Sequence, residues 1–361
     1  MGQDVIASEG PLMIWVSREE IEMFNKLIFS LGVVVGLVLL STIPVLATEE
    51  GGNGRWAIVI HGGAGSTPRD SDSPRTRQKR EGLRRALEAG TKILKEGGTS
   101  LDAVETVIRI LEDDPRFNAG KGAVKNALGQ HELDASIMNG ADLSCGAVAG
   151  VTTVKNPISL ARRVMTETRH VLLQGVGAEA FADQEGVERV KNQEFSVSRR
   201  IVEGARTSLA NRDEAESSYK GTVGCVALDQ HGHLAAGTST GGLSGKKFGR
   251  VGDSPIIGAG TYAKDSTCGV SCTGTGEEYI RHAAAYTVSA LMEFKDLSVD
   301  EAVSQVMRQR LKPGDGGMIA ISHQGDICAD YTTGGMAFAL ADSQGRSEVH
   351  WGDEASGLKS Q

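Results

Sequence analysis

The chain has 361 residues, 40% of them hydrophobic, and a formal net charge of −8. That is enough material for a sizeable core in one or two domains. A mildly acidic chain with no basic stripe argues against nucleic-acid binding, and five cysteines (Cys145, Cys225, Cys268, Cys272 and Cys328) form no zinc spacing. They are expected to be mostly buried structural thiols.

The chain begins with an address. Leu27 to Ile43 is apolar, and Val45-Leu46-Ala47 fits a signal-peptidase site. The first 22 residues are too acidic for the positive start of a signal; Met23 followed by Phe24, Asn25 and Lys26 is a better one. Residues 1–22 are therefore read as a mis-assigned start, 23–47 as a cleavable signal ending near Ala47, and the mature protein as periplasmic or secreted. About 17 apolar residues also approach the minimum for a membrane span, so an uncleaved anchor is the competing reading.

Next come a strand at Trp56–Ile60 running into glycines, and a basic helix from Arg75 to Glu96. A second helix follows Ser100, its expected cap, with Leu101, Val104, Ile108 and Leu111 on one face. Strands are predicted at His131–Met138 and Cys145–Val154. A helix opens at Asn156-Pro157 and helical sequence continues with breaks to about Leu209. Asn211 to Lys220 is polar without periodicity and reads as an exposed loop. After Gly221, Val223–Asp229 and His233–Ser239 form a predicted hairpin, followed by strands at Ile256–Tyr262 and Cys268–Thr273. Helices at Glu277–Phe294 and Val299–Arg310 precede a last strand pair, Met318–His323 and Ile327–Thr332. Long runs of each kind argue for α+β layers rather than a regular parallel fold.

Glycine makes up 47 of the 361 residues, against a usual share of about 7%. It clusters in short motifs that suggest tight backbone around a site. Two of them admit a serine-esterase reading. Gly237-Thr238-Ser239-Thr240-Gly241 matches the nucleophile elbow with Ser239 as nucleophile, and His61-Gly62-Gly63-Ala64-Gly65 resembles an oxyanion segment. An elbow needs a helix directly behind it, whereas Gly242, Gly245, Gly249 and Gly252 follow here. Gly245-Lys246 lacks the rest of a phosphate loop.

HGGAG (61–65), FNAGKGA (117–123), ELDASIM (132–138), GAVAGV (146–151), KNPISLAR (155–162), GTVGCVALD (221–229), TSTGG (238–242), GRVGDSP (249–255) and SCTGTGE (271–277) occur in this order and spacing. Together they resemble the plant-type L-asparaginases and isoaspartyl peptidases, a family of N-terminal-nucleophile hydrolases. The resemblance covers Trp56 to about Met336. It implies a four-layer αββα sandwich in which the precursor cuts itself at Gly221-Thr222. An alpha subunit (48–221, with the loop 211–220 as its tail) and a beta subunit (222–361) result, and two such pairs form a dimer.

Thr222 is then both nucleophile and, through its new α-amine, base. A threonine hydroxyl needs an adjacent base, and an α-amine with a pKa of about 7.7–8.0 is partly neutral at working pH. The resemblance further implies that Thr240 orients the Thr222 hydroxyl. Thr273 and Gly274 form the oxyanion hole and contact substrate. Arg250 and Asp253 clamp the substrate α-carboxylate and α-ammonium, Gly242 contacts the same groups, and Asn118 faces the nucleophile. Backbone carbonyls across Leu111, Glu112, Asp114, Phe117, Ala119 and Lys121 would hold a structural sodium ion, with no cofactor for catalysis. The implied substrates are L-asparagine and β-aspartyl dipeptides. A glycosylasparaginase-like amidase is the nearest alternative, although that branch usually shows TSTNG. A secreted scaffold without activity is another. Asp330 to Met336 departs from the family pattern on the far wall of the pocket.

Overall fold

The computed structural model describes residues 54–65, 74–196 and 221–351. The predicted start, signal and flexible tail lie outside them. Two sheets carry the fold. The larger has the order β12-β11-β1-β5-β6-β2-β3-β4 and the smaller β10-β9-β8-β7. The first comprises β1 (Ala57–Gly65), β2 (Leu133–Asn139), β3 (Cys145–Val151), β4 (Leu172–Gln174), β5 (Val223–Leu228), β6 (Leu234–Thr240), β11 (Gly335–Asp342) and β12 (Ser347–His350). The second comprises β7 (Thr261–Ala263), β8 (Cys268–Gly274), β9 (Gly316–Ser322) and β10 (Ile327–Tyr331). All pairings are antiparallel except β3 with β4.

Side chains alternate across a strand, so β1 serves two cores. Ile58 and Ile60 pack with Leu83, Val104, Val107 and Ile108 of helices α1 (Pro74–Lys95) and α2 (Ser100–Asp113). Ala57 and Val59 face the other way and pack with Ile319 and Ile321 of the smaller sheet. Met318 and Ala320 on the opposite face of β9 meet Val288, Val303 and Val306. These belong to α6 (Ala284–Lys295) and α7 (Val299–Gln309). Strands buried on both faces read as continuous apolar runs, which is why the sequence of β1, β5 and β9 announces them. The mixed α/β character agrees with the sequence.

Several local expectations change. Thr99, not Ser100, caps α2, accepting the Asp102 amide on its hydroxyl; the Ser100 amide is bound by Asp229 instead. Asn156 makes no side-chain cap for α3 (Pro157–Glu167); Glu112 of α2 accepts the Ile158 amide at 3.1 Å. The region after it is not all helical: β4 precedes α4 (Gly175–Gln184). Ile256 to Gly260 is a turn, closed by Ile256 N–H to Asp253 O and Ala259 N–H to Ile256 O, so only β7 remains of that strand. The long helix over Glu277–Phe294 is two, α5 (Gly276–Arg281) and α6, broken at Ala283, whose φ is +42°. The amides of Ala285 and Tyr286 bond to Ala259 and Gly258 across the chain, and that tertiary contact replaces helix continuation. The strand pair at β9 and β10 is not the last, because β11 and β12 follow. β11 lies beside β1 in the larger sheet.

Close approach of α2 to β6 depends on Gly237, where a Cβ would stand 2.7 Å from Val104 Cγ1 and 2.8 Å from Ile108 Cδ1. Gly237→Ala is expected to lower stability by about 1–3 kcal/mol through overpacking, measured by denaturant unfolding. An unchanged midpoint would show that α2 can move away at no cost.

Candidate active site

Thr222 directly precedes β5 and is buried, in a continuous chain behind Gly221. β5 lies between β1 and β6, so both its edges are paired. The Thr222 hydroxyl donates to Thr240 Oγ1 at 3.1 Å, and the Gly242 amide donates to the same oxygen at 3.0 Å. That arrangement turns the Thr222 hydroxyl proton toward Thr240 and leaves its lone pairs for attack. Thr222, Thr240, Gly242, Arg250, Asp253 and Gly274 line one pocket with Gly221. Thr273 lies one residue before the end of β8, and its hydroxyl accepts the Ala64 amide at 3.4 Å. Gly274 has φ +153°, and a Cβ there would fall 2.1 Å from Asp315 O. Only glycine allows the amide at that position to be presented.

Asn118 reaches the Gly221-Thr222 peptide through its main chain. Its main-chain amide, not its side chain, donates to Gly221 O at 3.1 Å. The side-chain amide bonds Gly242 O at 2.9 Å and accepts Val124 N–H at 2.9 Å. It thus braces the loop behind β6 while the backbone polarises the Gly221 carbonyl.

Arg250 and Asp253 sit together, supported by a residue the sequence did not single out. Glu277 accepts Arg250 Nε and one terminal nitrogen, both at 3.0 Å. The bidentate fork fixes the guanidinium plane, and Nη1 lies 3.5 Å from where a Cβ on Gly242 would be. Asp253 is buried, and its Oδ2 has no hydrogen-bond partner among the described residues. Burial pushes its carboxyl up to about 7, against the pull of Arg250. A buried carboxyl in that condition is a receptor for a cation. Below the pocket floor, Lys246 is also buried. Its ammonium bonds Glu132 O at 2.9 Å and stands 3.7 Å from Asp134 Oδ2.

Ser239 lies on the other face of β6 from Thr240. It is fully buried and donates to Glu112 Oε1 at 2.6 Å. It therefore meets no part of the pocket, and the esterase reading fails on this alternation. Burial pushes Glu112 up to about 8, opposed by its bonds from Ser239 and Ile158.

The segment expected to hold sodium begins in the last turn of α2, where main-chain carbonyls have no helical amide partner. A Cβ at Gly120 would come 2.4 Å from Glu112 O, and one at Gly122 would come 2.0 Å from Phe117 O. The loop is thus wrapped tightly around its own carbonyl oxygens. Neutral hard oxygens suit a cation of this kind. The Asp114 carboxylate is engaged by Arg85 and Arg116, so that residue has only its carbonyl to offer. Among the described residues no cluster of His, Cys, Asp or Glu is arranged to hold a metal.

The raised Glu112 carboxyl has a sign that can be checked. A group whose folded value lies above its unfolded one contributes stability at low pH, lost as pH rises from 4.5 toward about 8. Glu112→Gln retains an acceptor for Ser239 and Ile158, so it should flatten the fall in melting temperature across that window. An identical fall in both proteins would show that Glu112 carries no such penalty.

Comparison with known proteins agrees with this geometry. Residues 54–351 match the family model described as asparaginase. The chain is 44% identical to the probable isoaspartyl peptidase/L-asparaginase 2 of Arabidopsis thaliana, covering 82% of this chain and 98% of the relative. It is 46% identical to the isoaspartyl peptidase of Escherichia coli strain K12 (78% and 92%). It is 41% identical to the isoaspartyl peptidase/L-asparaginase of Homo sapiens (82% and 95%). A threonine held at a strand end, a paired arginine and a buried carboxyl thus occur in a chain matched along nearly the full length of these relatives; it belongs to the family of plant-type L-asparaginases and isoaspartyl peptidases.

Proposed function

We propose that this chain hydrolyses β-aspartyl dipeptides and the side-chain amide of L-asparagine, with Thr222 as nucleophile after self-cleavage at Gly221-Thr222. The observation that carries the reading is the buried Thr222 hydroxyl on Thr240, in one pocket with Arg250 and the Asp253 carboxyl, whose Oδ2 has no hydrogen-bond partner among the described residues. In the precursor, Thr222 Oγ attacks the Gly221 carbonyl carbon, whose oxygen is held by the Asn118 amide. The C–N bond breaks, the hydroxyl proton passes to the leaving nitrogen, and water hydrolyses the ester. The freed α-amine then serves as base for Thr222.

Arg250 and Asp253 bind the α-carboxylate and α-ammonium of the substrate, which places its β-carbonyl at Thr222. Attack forms a β-aspartyl ester and releases ammonia or an amino acid, which takes up the hydroxyl proton. Water then frees aspartate. The Gly274 amide and Thr273 hydroxyl stabilise the oxyanion, worth about 3–4 kcal/mol per donor. Gly242 borders the bound α-groups.

Gly241 favours this reading over the glycosylasparaginase alternative. A Cβ there would meet Ala123 Cβ and Asn118 Oδ1, both at 2.7 Å, so an asparagine could enter only by displacing the brace behind the nucleophile. The presence of nucleophile and clamp together weighs against an inactive scaffold. The three buried clusters support four layers, αββα, cut into an alpha and a beta subunit. The carbonyls from Leu111 to Lys121 would hold the structural sodium. A dimer of such pairs, delivered through a signal ending near Ala47 to the periplasm or exterior, completes the proposal.

Intact mass and N-terminal sequencing of aged protein should give two chains, the second beginning at Thr222. Thr222→Ala should leave one chain without activity on either substrate. A stable single chain that is nevertheless active would overturn the mechanism.

The clamp also predicts pH dependence. In the free enzyme both Asp253, pushed up to about 7 by burial, and the Thr222 amine, at about 7.7–8.0, must lose a proton. In the complex the substrate ammonium keeps Asp253 ionised. Log kcat/KM should therefore fall toward a slope of two in acid and log kcat toward a slope of one. Equal slopes in the two pH–rate profiles would remove Asp253 from ammonium binding.

A further inference from the structure

The ladder between β1 and β5 ends at His61 opposite Gly224. Beyond it the register of β1 against β11 shifts between His61 and Ala64, and no further residue of β1 pairs with β5. The His61 side chain reaches Thr222 instead. Its Nδ1 lies 3.1 Å from Thr222 O, and its Nε2 lies 3.1 Å from Ser271 Oγ on β8 of the other sheet. Gly224 makes the crossing possible, since a Cβ there would stand 2.3 Å from His61 Nε2 and 2.1 Å from Ser271 Oγ.

From Ser271 a chain of buried hydroxyls continues. Thr238 Oγ1 is 2.7 Å from Ser271 Oγ, Thr261 Oγ1 is 2.6 Å from Thr238 Oγ1, and Ser136 Oγ is 2.8 Å from Thr261 Oγ1. Ser136 also lies 2.6 Å from Ser254 O, the residue after Asp253. The proton positions follow in sequence. A carbonyl only accepts, so Nδ1 carries the proton. Burial pulls the imidazole down to about 3, so the ring is neutral and Nε2 accepts. Ser271 must then donate to His61, Thr238 to Ser271, and Thr261 to Thr238. From Thr261 to His61 every donor points toward Thr222, and hydrogen bonds aligned this way polarise one another; the single Ser136 proton goes instead to the Ser254 carbonyl, which only accepts.

We infer that His61 is a positioning residue for the nucleophile: it holds the Thr222 carbonyl through Nδ1 and is itself held by the Ser271–Thr238–Thr261 hydroxyl chain. The inference rests on Thr222 being the nucleophile. With the carbonyl fixed, the Thr222 main chain cannot rotate, and its hydroxyl and amine keep one orientation toward the β-carbonyl. Misplacing a reacting group by about 1 Å costs on the order of 100-fold in rate. The effect falls on kcat, because Arg250 and Asp253 bind substrate without His61.

Two substitutions separate the ends of the ring. His61→Asn keeps a donor near the place of Nδ1 and loses the reach to Ser271, whereas His61→Gln reaches toward Ser271 and loses the donor to Thr222. Each variant is purified, checked for a new N-terminus at Thr222 and for its melting temperature, and assayed on a β-aspartyl dipeptide beside Thr222→Ala. His61→Asn is expected to keep kcat within about tenfold of wild type and His61→Gln to lose about 100-fold, with KM changed less than about twofold in both. Equal kcat in the two folded, cut variants, or a loss confined to KM, would overturn the inference. Should His61→Gln fail to fold or to be cut, Thr238→Val breaks the same chain from outside the pocket. It should lower kcat by about tenfold at unchanged KM, and an unchanged kcat would overturn the inference. Activity in Thr222→Ala would instead remove the nucleophile reading itself.

Discussion

The site depends on the hydrogen bonding of one strand end. Thr222 directly precedes β5, a strand paired on both edges, and its hydroxyl is fixed by Thr240 on the neighbouring β6. A hydroxyl on a loop would lose rotamer and backbone freedom each time it reacted; one at the end of a central strand has lost it on folding. The Gly221 carbonyl meets the Asn118 amide in the loop after α2, so the Gly221-Thr222 peptide is held from the other side. Segments on both sides of residues 197–220 contribute to this grip.

The electrostatics around the pocket follow from burial rather than from the number of charges. Asp253 is held near neutrality by desolvation, while Glu277 occupies one edge of the Arg250 fork. A ligand carrying both an ammonium and a carboxylate changes these terms together: the cation restores the Asp253 charge, and the anion takes the arginine edge that Glu277 leaves. A ligand with only one of these groups leaves the other end of the clamp unmatched. Discrimination of this kind comes from buried polar groups that go unpaired with the wrong partner. Lys246 and Asp134 beneath Gly242 supply a buried ion pair close to the same floor.

The abundance of glycine has a packing cause. Gly224 lets an imidazole cross a strand, Gly237 lets α2 lie on β6, and Gly241 leaves space for Asn118 and Ala123. A side chain at any of these positions would displace a packed neighbour, so much of the glycine in the core strands is explained by close approach rather than by turns.

The sequence by itself marked most of the central strands and gathered the residues of the pocket into short motifs. Apolar runs buried on both faces revealed β1, β5 and β9, and the ordered motifs pointed to Thr222, Thr240, Arg250, Asp253 and Gly274 before any coordinates. Only tertiary structure decided which atoms of those residues matter. Asn118 contributes its main chain to the Gly221 carbonyl, Ser239 turns away because alternation places it opposite Thr240, and Glu277 supports Arg250 from the next helix. β11 escaped notice because its neighbour β1 lies more than 250 residues earlier in the chain, so pairing and not propensity makes it a strand. His61 escaped for the same reason. Its partners, Thr222 and Ser271, are 161 and 210 residues away, and sequence encodes side-chain type and local period but not which distant carbonyl a ring nitrogen will meet.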